Sequence, residues 1–275
     1  MDEARVIYRP QTSDLQFLEQ NSSAMARAGI FLPHLDQRIN LLNYIRIAED
    51  VAANLSGLPL PEGQNAPART LDWGCGYGQM TWLLKNRGLA VTSFDIGPDD
   101  TPLPDMPLCS ELKVVRSTHP TNLPFADACF DAVMSCGVLE HVDECSGTPG
   151  NESKSLDEIA RVLSPNGKFL IYQLPQKAAW QEAVVRRFKL GYAHPRRYSE
   201  AEIVAILAGA GFTVTRLKRA NLVPKNLTGM PMALRKAYSK FTPLLLVLDR
   251  ILCTIPVLNR IAGVFEIVAV KNKAG

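Results

Sequence analysis

Paired cysteines are missing from this sequence. Its six cysteines stand at positions 75, 109, 129, 136, 145 and 253, and no two of them form a C-x-x-C pair. Such pairs are the usual signature of a zinc site or a disulfide framework. We therefore expect neither of these, and the cysteine usage fits the reducing cytoplasm best. As a separate expectation, no metal site of any other kind is predicted.

Targeting signals and membrane spans are also missing. The first residues, Met1–Arg5, lack the basic-then-apolar pattern of a signal peptide, and no stretch long enough to span a bilayer is free of charge. There are no internal repeats and no low-complexity tracts. With 275 residues, 47% of them hydrophobic, the chain can bury one substantial core, so one domain with elaborations is expected.

Short β-branched or apolar runs alternate with helical patterns along the chain. This alternation is typical of a parallel sheet covered by helices. The helix over 199–209 has the clearest bounds, because Ser199 and Glu202 form a capping box and Gly211 follows its end. Strands are predicted at 70–73, 90–94, 112–115, 131–135, 168–172, 212–215 and 264–270, and further helices at 35–55, 79–87 and 153–163.

The segment Leu71–Gln79 places an acid and three glycines at alternate positions. Glycine lacks a Cβ, so it permits positive φ and close contact between the main chain and a ligand. Three glycines at a strand-to-helix turn can therefore form the floor of a nucleotide-like site. Asp95 ends the next predicted strand, 17 positions after Gly78, where a carboxylate can accept hydrogen bonds from ribose hydroxyls.

The loop pattern is consistent with two classes of ligand. The alternative is a tight turn that binds no ligand. A nicotinamide or flavin enzyme would place a third glycine at position 79 to complete G-x-G-x-x-G, but this residue is Gln79. The pattern D-x-G-x-G-x-G from Asp72 to Gly78, followed by Asp95, instead resembles the first motif of class I S-adenosylmethionine-dependent methyltransferases. Their cofactor carries no phosphate.

The resemblance extends over roughly residues 67–215 and is closest to small-molecule methyltransferases of the ubiquinone-biosynthesis type. It rests on Leu123–Val133, Ser135–Val142 and Ile159–Ile171, which match the family in the same order. It implies an α/β fold with a Rossmann-like doubly wound sheet, mostly parallel with an antiparallel C-terminal hairpin. N-terminal helices and a helical insertion before the last strand complete the predicted fold.

Two domains follow from this resemblance: a helical N-terminal cap over 1–60 and a methyltransferase domain over 61–275, with a helical insertion at about 222–262. Residues 57–67 are predicted to be a linker because of their proline and glycine content. In related enzymes such N-terminal helices cover the substrate pocket. A helix that only packs on the sheet remains the alternative.

S-adenosylmethionine is the cofactor that the resemblance implies. One departure from the family concerns adenine: His119-Pro120 replaces the usual Asp-Ala pair, and proline has no N–H to donate. Neighbouring main chain, at Thr118 or Thr121, would then hold the adenine, or the segment is shifted. A non-catalytic methyltransferase-like binding module is thus an alternative. Contacts with the cofactor are expected from Asp72, Gly74, Cys75, Gly76, Gly78, Asp95, Ile96, His119, Cys136 and Gly137.

Methyl transfer requires in-line alignment and, for a hydroxyl acceptor, removal of a proton. His141 is the leading candidate base because it follows the strand that carries Cys136 and Gly137, and histidine titrates near neutral pH. A structural role at a helix start is its alternative. The segment His194–Tyr198 is expected to bring His194, Arg197 or Tyr198 over the pocket, with His194 as the second catalytic candidate, or merely to order the loop.

The charge is unevenly distributed. Residues 212–275 hold eleven Lys and Arg against two acidic residues, a net charge of +9, whereas the rest of the chain has a net charge of −6. Within this part, residues 243–255 show an apolar face at helical spacing. Such helices can rest on an anionic membrane or line a pocket for an amphipathic substrate, and ordinary core-facing helices are the alternative.

A nucleic acid partner is not expected. Ser135–Val138 differs from the Asn/Asp-Pro-Pro-aromatic segment of enzymes that methylate amino groups in DNA, and no aromatic and basic residues interleave to stack single strands. The predicted function is therefore methyl transfer to a small or lipid-like acceptor, with a hydroxyl oxygen as the favoured target. Carbon or nitrogen methylation of a small metabolite remains open, and no oligomeric state is predicted.

Overall fold

The computed structural model describes residues 11–30, 32–56, 66–144, 149–190, 192–225, 227 and 232–272. Its strands are β1 (Arg69–Trp73), β2 (Ala90–Ile96), β3 (Val114–Ser117), β4 (Phe130–Cys136), β5 (Leu163–Pro175), β6 (Phe212–Ala220) and β7 (Val264–Lys271). Its helices are α1 (Gln11–Arg27), α2 (Pro33–Asp36), α3 (Arg38–Leu55), α4 (Gln79–Lys85), α5 (Asn151–Val162), α6 (Trp180–Phe188), α7 (Glu200–Gly209), α8 (Met232–Lys240), α9 (Thr242–Leu252) and α10 (Pro256–Asn259).

The strands form one seven-stranded sheet in the order β3-β2-β1-β4-β5-β7-β6. The first five strands in this order are parallel, and β7 runs antiparallel to both β5 and β6. The predicted Rossmann-like sheet with an antiparallel C-terminal hairpin is therefore confirmed. The order reverses at β1, so ligands are expected at the carboxyl ends of β1 and β4.

Two hydrophobic layers enclose the sheet. Alternate residues of β5 divide between them: Phe169 and Ile171 face the layer that contains α5 and α7, whereas Leu170 and Tyr172 face the layer of α1, α3 and α4. All four are at most 1% exposed. Because a strand directs successive side chains to opposite faces, a continuous apolar run is what a sheet covered on both faces requires.

The sequence predicted most elements, but three details differ. The predicted helix over 35–55 is divided at Gln37, which is extended, into α2 and α3. Helix α1 lies within the predicted helical N-terminal segment, but its bounds were not predicted, and α6 was not predicted. Most of the predicted linker, residues 57–65, and the start of the chain lie outside the described residues, so the domain boundary near residue 60 stays a prediction.

The insertion before β7 consists of α8, α9 and α10. A buried ion pair fixes it to the rest of the chain: Lys225 Nζ lies 2.6 Å from Asp249 Oδ2 on α9, and the N–H of Val223 donates to Asp249 Oδ1 at 2.8 Å. Its apolar side chains are largely exposed, which differs from ordinary core-facing helices. Those at least 39% exposed are Leu234, Phe241, Leu244, Val247, Leu248, Ile251, Ile255, Val257 and Ile261.

Among the described residues, none of the helices combines the length and the apolar character that crossing a bilayer requires.

Candidate functional site

The glycine-rich loop between β1 and α4 is shaped by left-handed backbone. Gly74, Gly76 and Gly78 have φ values of +75°, +53° and +85°, which side chains rarely tolerate. A Cβ added to Gly74 would lie 2.5 Å from the side chain of Val138, whereas one added to Gly76 would meet nothing within 4 Å. The backbone at Gly76 therefore adjoins open space that a ligand can occupy.

Asp95, at the carboxyl end of β2, holds this loop in place. The N–H of Gly76 donates to Asp95 Oδ2 at 2.7 Å, and the N–H of Ile96 donates to Asp95 Oδ1 at 2.8 Å. A carboxylate offers about four acceptor positions. Asp95 can thus fix the loop and still accept hydrogen bonds from two hydroxyl groups of a ribose.

A cavity of about 190 Å³ opens where the loop meets the ends of β1, β2 and β4. Five of the predicted site residues line it, together with Pro120 from the segment where adenine recognition was expected. The complete lining is Trp73, Gly74, Phe94, Asp95, Ile96, Pro120, Gly137, Val138, His141 and Val142.

The other predicted site residues lie outside this lining. Asp72 is 2% exposed and accepts a hydrogen bond of 2.6 Å from the hydroxyl of Thr81, so its carboxyl is placed beneath the loop. Cys75 is also buried, and burial raises the pKa of its thiol far above the ordinary range. The other predicted residues that are not part of the lining are Gly76, Gly78, His119, Cys136 and His194.

A buried acid beneath the loop should make stability depend on pH. Burial raises the pKa of Asp72 to about 7, whereas in the unfolded chain it titrates near pH 4. The folded state then binds more protons than the unfolded state between about pH 4 and pH 7, so stability falls as the pH rises through this window. The amide introduced by Asp72→Asn carries no charge at any pH. The free energy of unfolding of this variant, relative to that of the natural chain, should therefore be higher at pH 8 than at pH 5.

Denaturant unfolding at both pH values measures this difference. An equal change in the free energy of unfolding at pH 5 and at pH 8 would show that the Asp72 carboxyl titrates normally.

The His119-Pro120 segment has its own hydrogen bonds. His119 Nδ1 and Thr121 Oγ1 are 2.7 Å apart, and the hydroxyl of Ser155 donates to the carbonyl of Pro120 at 3.3 Å. The imidazole of His119 is thus engaged with Thr121, whereas the neighbouring proline forms part of the cavity wall.

His141 and His194 are close together although 53 positions separate them in the sequence. Their ring centroids lie 5.5 Å apart. His141 belongs to the short 3-10 helix at 139–141, which follows the turn at Gly137 (φ +72°). His194 lies in the loop before α7. The expectation that Tyr198 reaches over the pocket is wrong, since Tyr198 is 0% exposed and its hydroxyl donates to Glu152.

Four residues around these imidazoles were missed by the sequence argument. Glu144 Oε2 lies 3.1 Å from His141 Nδ1, and Glu182 Oε1 lies 2.7 Å from His194 Nδ1. Burial acts to lower the pKa of His194, but the hydrogen bond and the negative charge of Glu182, together with the charges of Glu140 and Glu144, raise it. The other two are Glu140 and Tyr192, and only Glu140 had a signal in the sequence, its position beside His141.

Glu140 is the most deeply buried acid of this group. It is 2% exposed, and burial raises the pKa of its carboxyl to about 7. Its Oε2 has no hydrogen-bond partner within the described part of the chain. A carboxyl group is thus held beside two imidazoles with unused acceptor capacity.

Helix α3 packs against α4, the helix that follows the glycine loop. Tyr44 on α3 is partly buried there, and burial raises the pKa of its hydroxyl far above the ordinary value. No residue of α3 is part of the cavity lining, so a cap that covers the pocket stays a prediction.

Comparison with known families identifies the segment that contains the loop and the turn at His141. Residues 71–171 match the family described as a methyltransferase domain. The match begins in β1 and ends in β5. It thus includes the parts of the chain that form the lining of the cavity.

Two curated proteins are similar to parts of this chain. Sterol 4-C-methyltransferase strm-1 of Caenorhabditis elegans is 26% identical over 163 residues, 55% of this chain and 46% of that protein. Probable tRNA methyltransferase 9B of Homo sapiens is 43% identical over 100 residues, 36% of this chain and 16% of that protein. The chain spans less than half the length of these two curated relatives.

A solved structure shows the same fold. It is Burkholderia thailandensis 1,6-didemethyltoxoflavin-N1-methyltransferase with bound 1,6-didemethyltoxoflavin and S-adenosylhomocysteine. It is 17% identical, with a TM-score of 0.50, and the match covers 99% of this chain and 94% of that one.

Proposed function

Since residues 71–171 form a methyltransferase domain of the class I, S-adenosylmethionine-dependent kind, we propose that the chain methylates a small or lipid-like acceptor at a hydroxyl oxygen. The observation that carries this proposal is the cavity at the carboxyl ends of β1, β2 and β4, where Gly74, Asp95 and His141 share one wall.

The residues present fit S-adenosylmethionine. The open space beside Gly76 admits the backbone of an amino acid or nucleoside at close range, and Asp95 lies where ribose hydroxyls need an acceptor. Pro120 and Phe94 give the cavity flat apolar walls that suit an adenine ring. These residues would hold the cofactor in the proposed complex.

When bound, S-adenosylmethionine supplies an electrophilic methyl group, whose bond to sulfur breaks with the electron pair left on sulfur as the bond to the acceptor forms. The chain must then align the acceptor, exclude water and take up the acceptor's proton. His141 lines the cavity, and its side chain is 34% exposed. We assign to it the role of assisting proton removal.

The insertion supports a lipid-like acceptor. Lys236, Lys240 and Arg250 are exposed beside its apolar side chains, a combination typical of segments that contact anionic lipid. A larger cavity of about 880 Å³ lies between α3, β6 and α9 and has both apolar and charged walls, including Leu246 and Arg46.

The insertion is linked to the cofactor cavity along the sheet edge. Asn221, at the end of β6, donates to Gln173 Oε1 at 2.7 Å. A Cβ on Gly137, in the cavity wall, would lie 3.9 Å from Gln173. Gln173 thus connects the end of β6, after which the chain enters the insertion, with the wall of the cofactor cavity.

Replacing Lys236, Lys240 and Arg250 together with glutamine should weaken binding to anionic vesicles, because about 1 kcal/mol of attraction is lost for each basic residue near the surface. Affinity for S-adenosylhomocysteine should stay unchanged. Vesicle sedimentation and calorimetry measure the two properties.

A matched control removes the same charge elsewhere: Lys85, Lys154 and Arg187, which are exposed on α4, α5 and α6. Equal vesicle binding by both triple variants and the natural chain, with an unchanged acceptor KM, would mean that the insertion serves packing only.

The acceptor itself can be identified with S-adenosylmethionine labelled in its methyl group. The chain is incubated with a lipid extract, a water-soluble metabolite extract or tRNA, and the labelled product is analysed for O-, C- or N-methylation. We expect label in the lipid or metabolite fraction on oxygen. Label in tRNA alone would overturn the proposed acceptor class. Absence of label from every fraction would overturn the proposed activity and favour a binding module without activity.

A further inference from the structure

Three side chains with metal-ligating atoms converge at the edge of the cofactor cavity. Glu140, His141 and His194 each offer one such atom, and these atoms lie within 4.8 Å of one another. The residues come from two separate segments, the turn after β4 and the loop before α7. Two imidazoles and one carboxylate are the ligand set of many three-residue zinc sites.

Carboxylates on the far side of each imidazole fix how the rings would coordinate. His141 Nδ1 lies 3.1 Å from Glu144, and His194 Nδ1 lies 2.7 Å from Glu182. Histidines that bind metals commonly donate one ring N–H to a carboxylate, which orients the other nitrogen toward the ion. Coordination here would use Nε2, and His141 Nε2 lies 3.9 Å from Glu140 Oε1.

The carboxyl of Glu140 supplies an independent indication. It is 2% exposed, and its Oε2 lacks a hydrogen-bond partner in the part of the chain that the structure describes. A buried polar group without a partner costs free energy, and the cost is larger for a charged one. A cation held between the imidazoles would stabilise this carboxylate.

We propose that Glu140, His141 and His194 form a binding site for one divalent transition-metal ion of the zinc class. Magnesium and calcium are less suited, because they prefer sites made of oxygen ligands, whereas imidazole favours zinc and its neighbours in the first transition row. Three protein ligands leave a fourth position for water or a substrate.

The role of the ion rests on the proposed function. His141 belongs both to the cluster and to the cavity wall, so the ion adjoins the place where the acceptor must lie. A hydroxyl bound at the open position would lose its proton to water more readily, because a bound cation lowers its pKa. The ionised oxygen then takes the methyl group. His141 would assist proton removal by holding the ion.

Metal binding is measured on the full chain after treatment with a chelator. Zn²⁺ is titrated by calorimetry, and Co²⁺ is added as a probe because its visible absorption reports the ligand set. We expect one ion per chain. His194→Ala and Glu140→Gln should lose both signals, and Glu182→Gln should weaken Zn²⁺ affinity about 10–100-fold, since it only orients His194.

His34→Ala is the matched control, because this histidine on α2 lies outside the cluster, and it should bind Zn²⁺ and Co²⁺ like the natural chain. Absence of binding by the natural chain, or equal binding by His194→Ala, would overturn the site. Circular dichroism verifies the fold of each variant, and His194→Ala keeps the test decisive if Glu140→Gln does not fold.

The two proposals fail separately. Methyl transfer by a chain that binds no metal ion would overturn the metal site and leave the proposed function intact. Metal binding by a chain that neither binds S-adenosylhomocysteine nor transfers methyl groups would support the metal site and overturn the proposed function.

Discussion

His141→Ala is expected to lower kcat about a hundredfold or more, which is the usual contribution of a group that assists proton transfer. The affinity for S-adenosylhomocysteine should change little, because the proposed contacts with the cofactor come from Asp95 and the glycine loop. Steady-state rates at saturating S-adenosylmethionine and calorimetry with S-adenosylhomocysteine separate the two effects.

A second histidine provides a control on the role of His141. His34→Ala, on α2, serves as the matched control and should keep the natural rate. A His141→Ala variant with the natural rate at every pH would make this residue structural.

Asp95→Ala should weaken binding of S-adenosylhomocysteine by about 1–3 kcal/mol, the cost of removing a charged hydrogen-bond partner. Two causes act together. The ribose hydroxyls lose their acceptor, and the N–H groups of Gly76 and Ile96 lose the carboxylate that holds the loop. Calorimetry measures the change.

Asp99→Ala removes the same charge from an exposed position four residues further along the chain, so it controls for the general electrostatic effect. Affinity that falls equally in Asp95→Ala and Asp99→Ala would indicate that charge, rather than ribose recognition, is responsible.

The central fold could be predicted from the sequence because its determinants are local. Ser199 and Glu202 form the predicted capping box in the structure, and the N–H of Glu202 donates to the Ser199 hydroxyl. The apolar runs that became β1, β2, β4 and β5 need only alternate with helices to give a doubly wound sheet. The glycine spacing likewise predicted left-handed backbone at Gly74, Gly76 and Gly78.

The bounds of helix α1 could not be predicted because its signals are not local. The buried face of α1 includes Asp14 and Asn21, polar residues that look solvent-exposed in a sequence pattern. Their partners are distant: Arg87 lies 3.1 Å from Asp14, and the N–H of Leu108 donates to Asn21. Helix α6 was missed although Trp180, Ala183, Val184 and Phe188 recur at helical spacing in it.

The histidine cluster escaped prediction for a related reason. Its ligand-bearing residues come from segments 53 positions apart, and the usual sequence signals for metals are closely spaced cysteines and histidines. Only the packing of the loop before α7 against the turn after β4 brings His194 to Glu140 and His141. The absence of C-x-x-C pairs excluded cysteine-based sites alone.

The most direct test of the account is a calorimetric titration of the full chain with S-adenosylhomocysteine and, separately, with NAD. The glycine loop without a third glycine at position 79, together with Asp95 at the end of β2, predicts binding of one S-adenosylhomocysteine per chain and none of NAD. Tight binding of NAD with no detectable binding of S-adenosylhomocysteine would contradict the account.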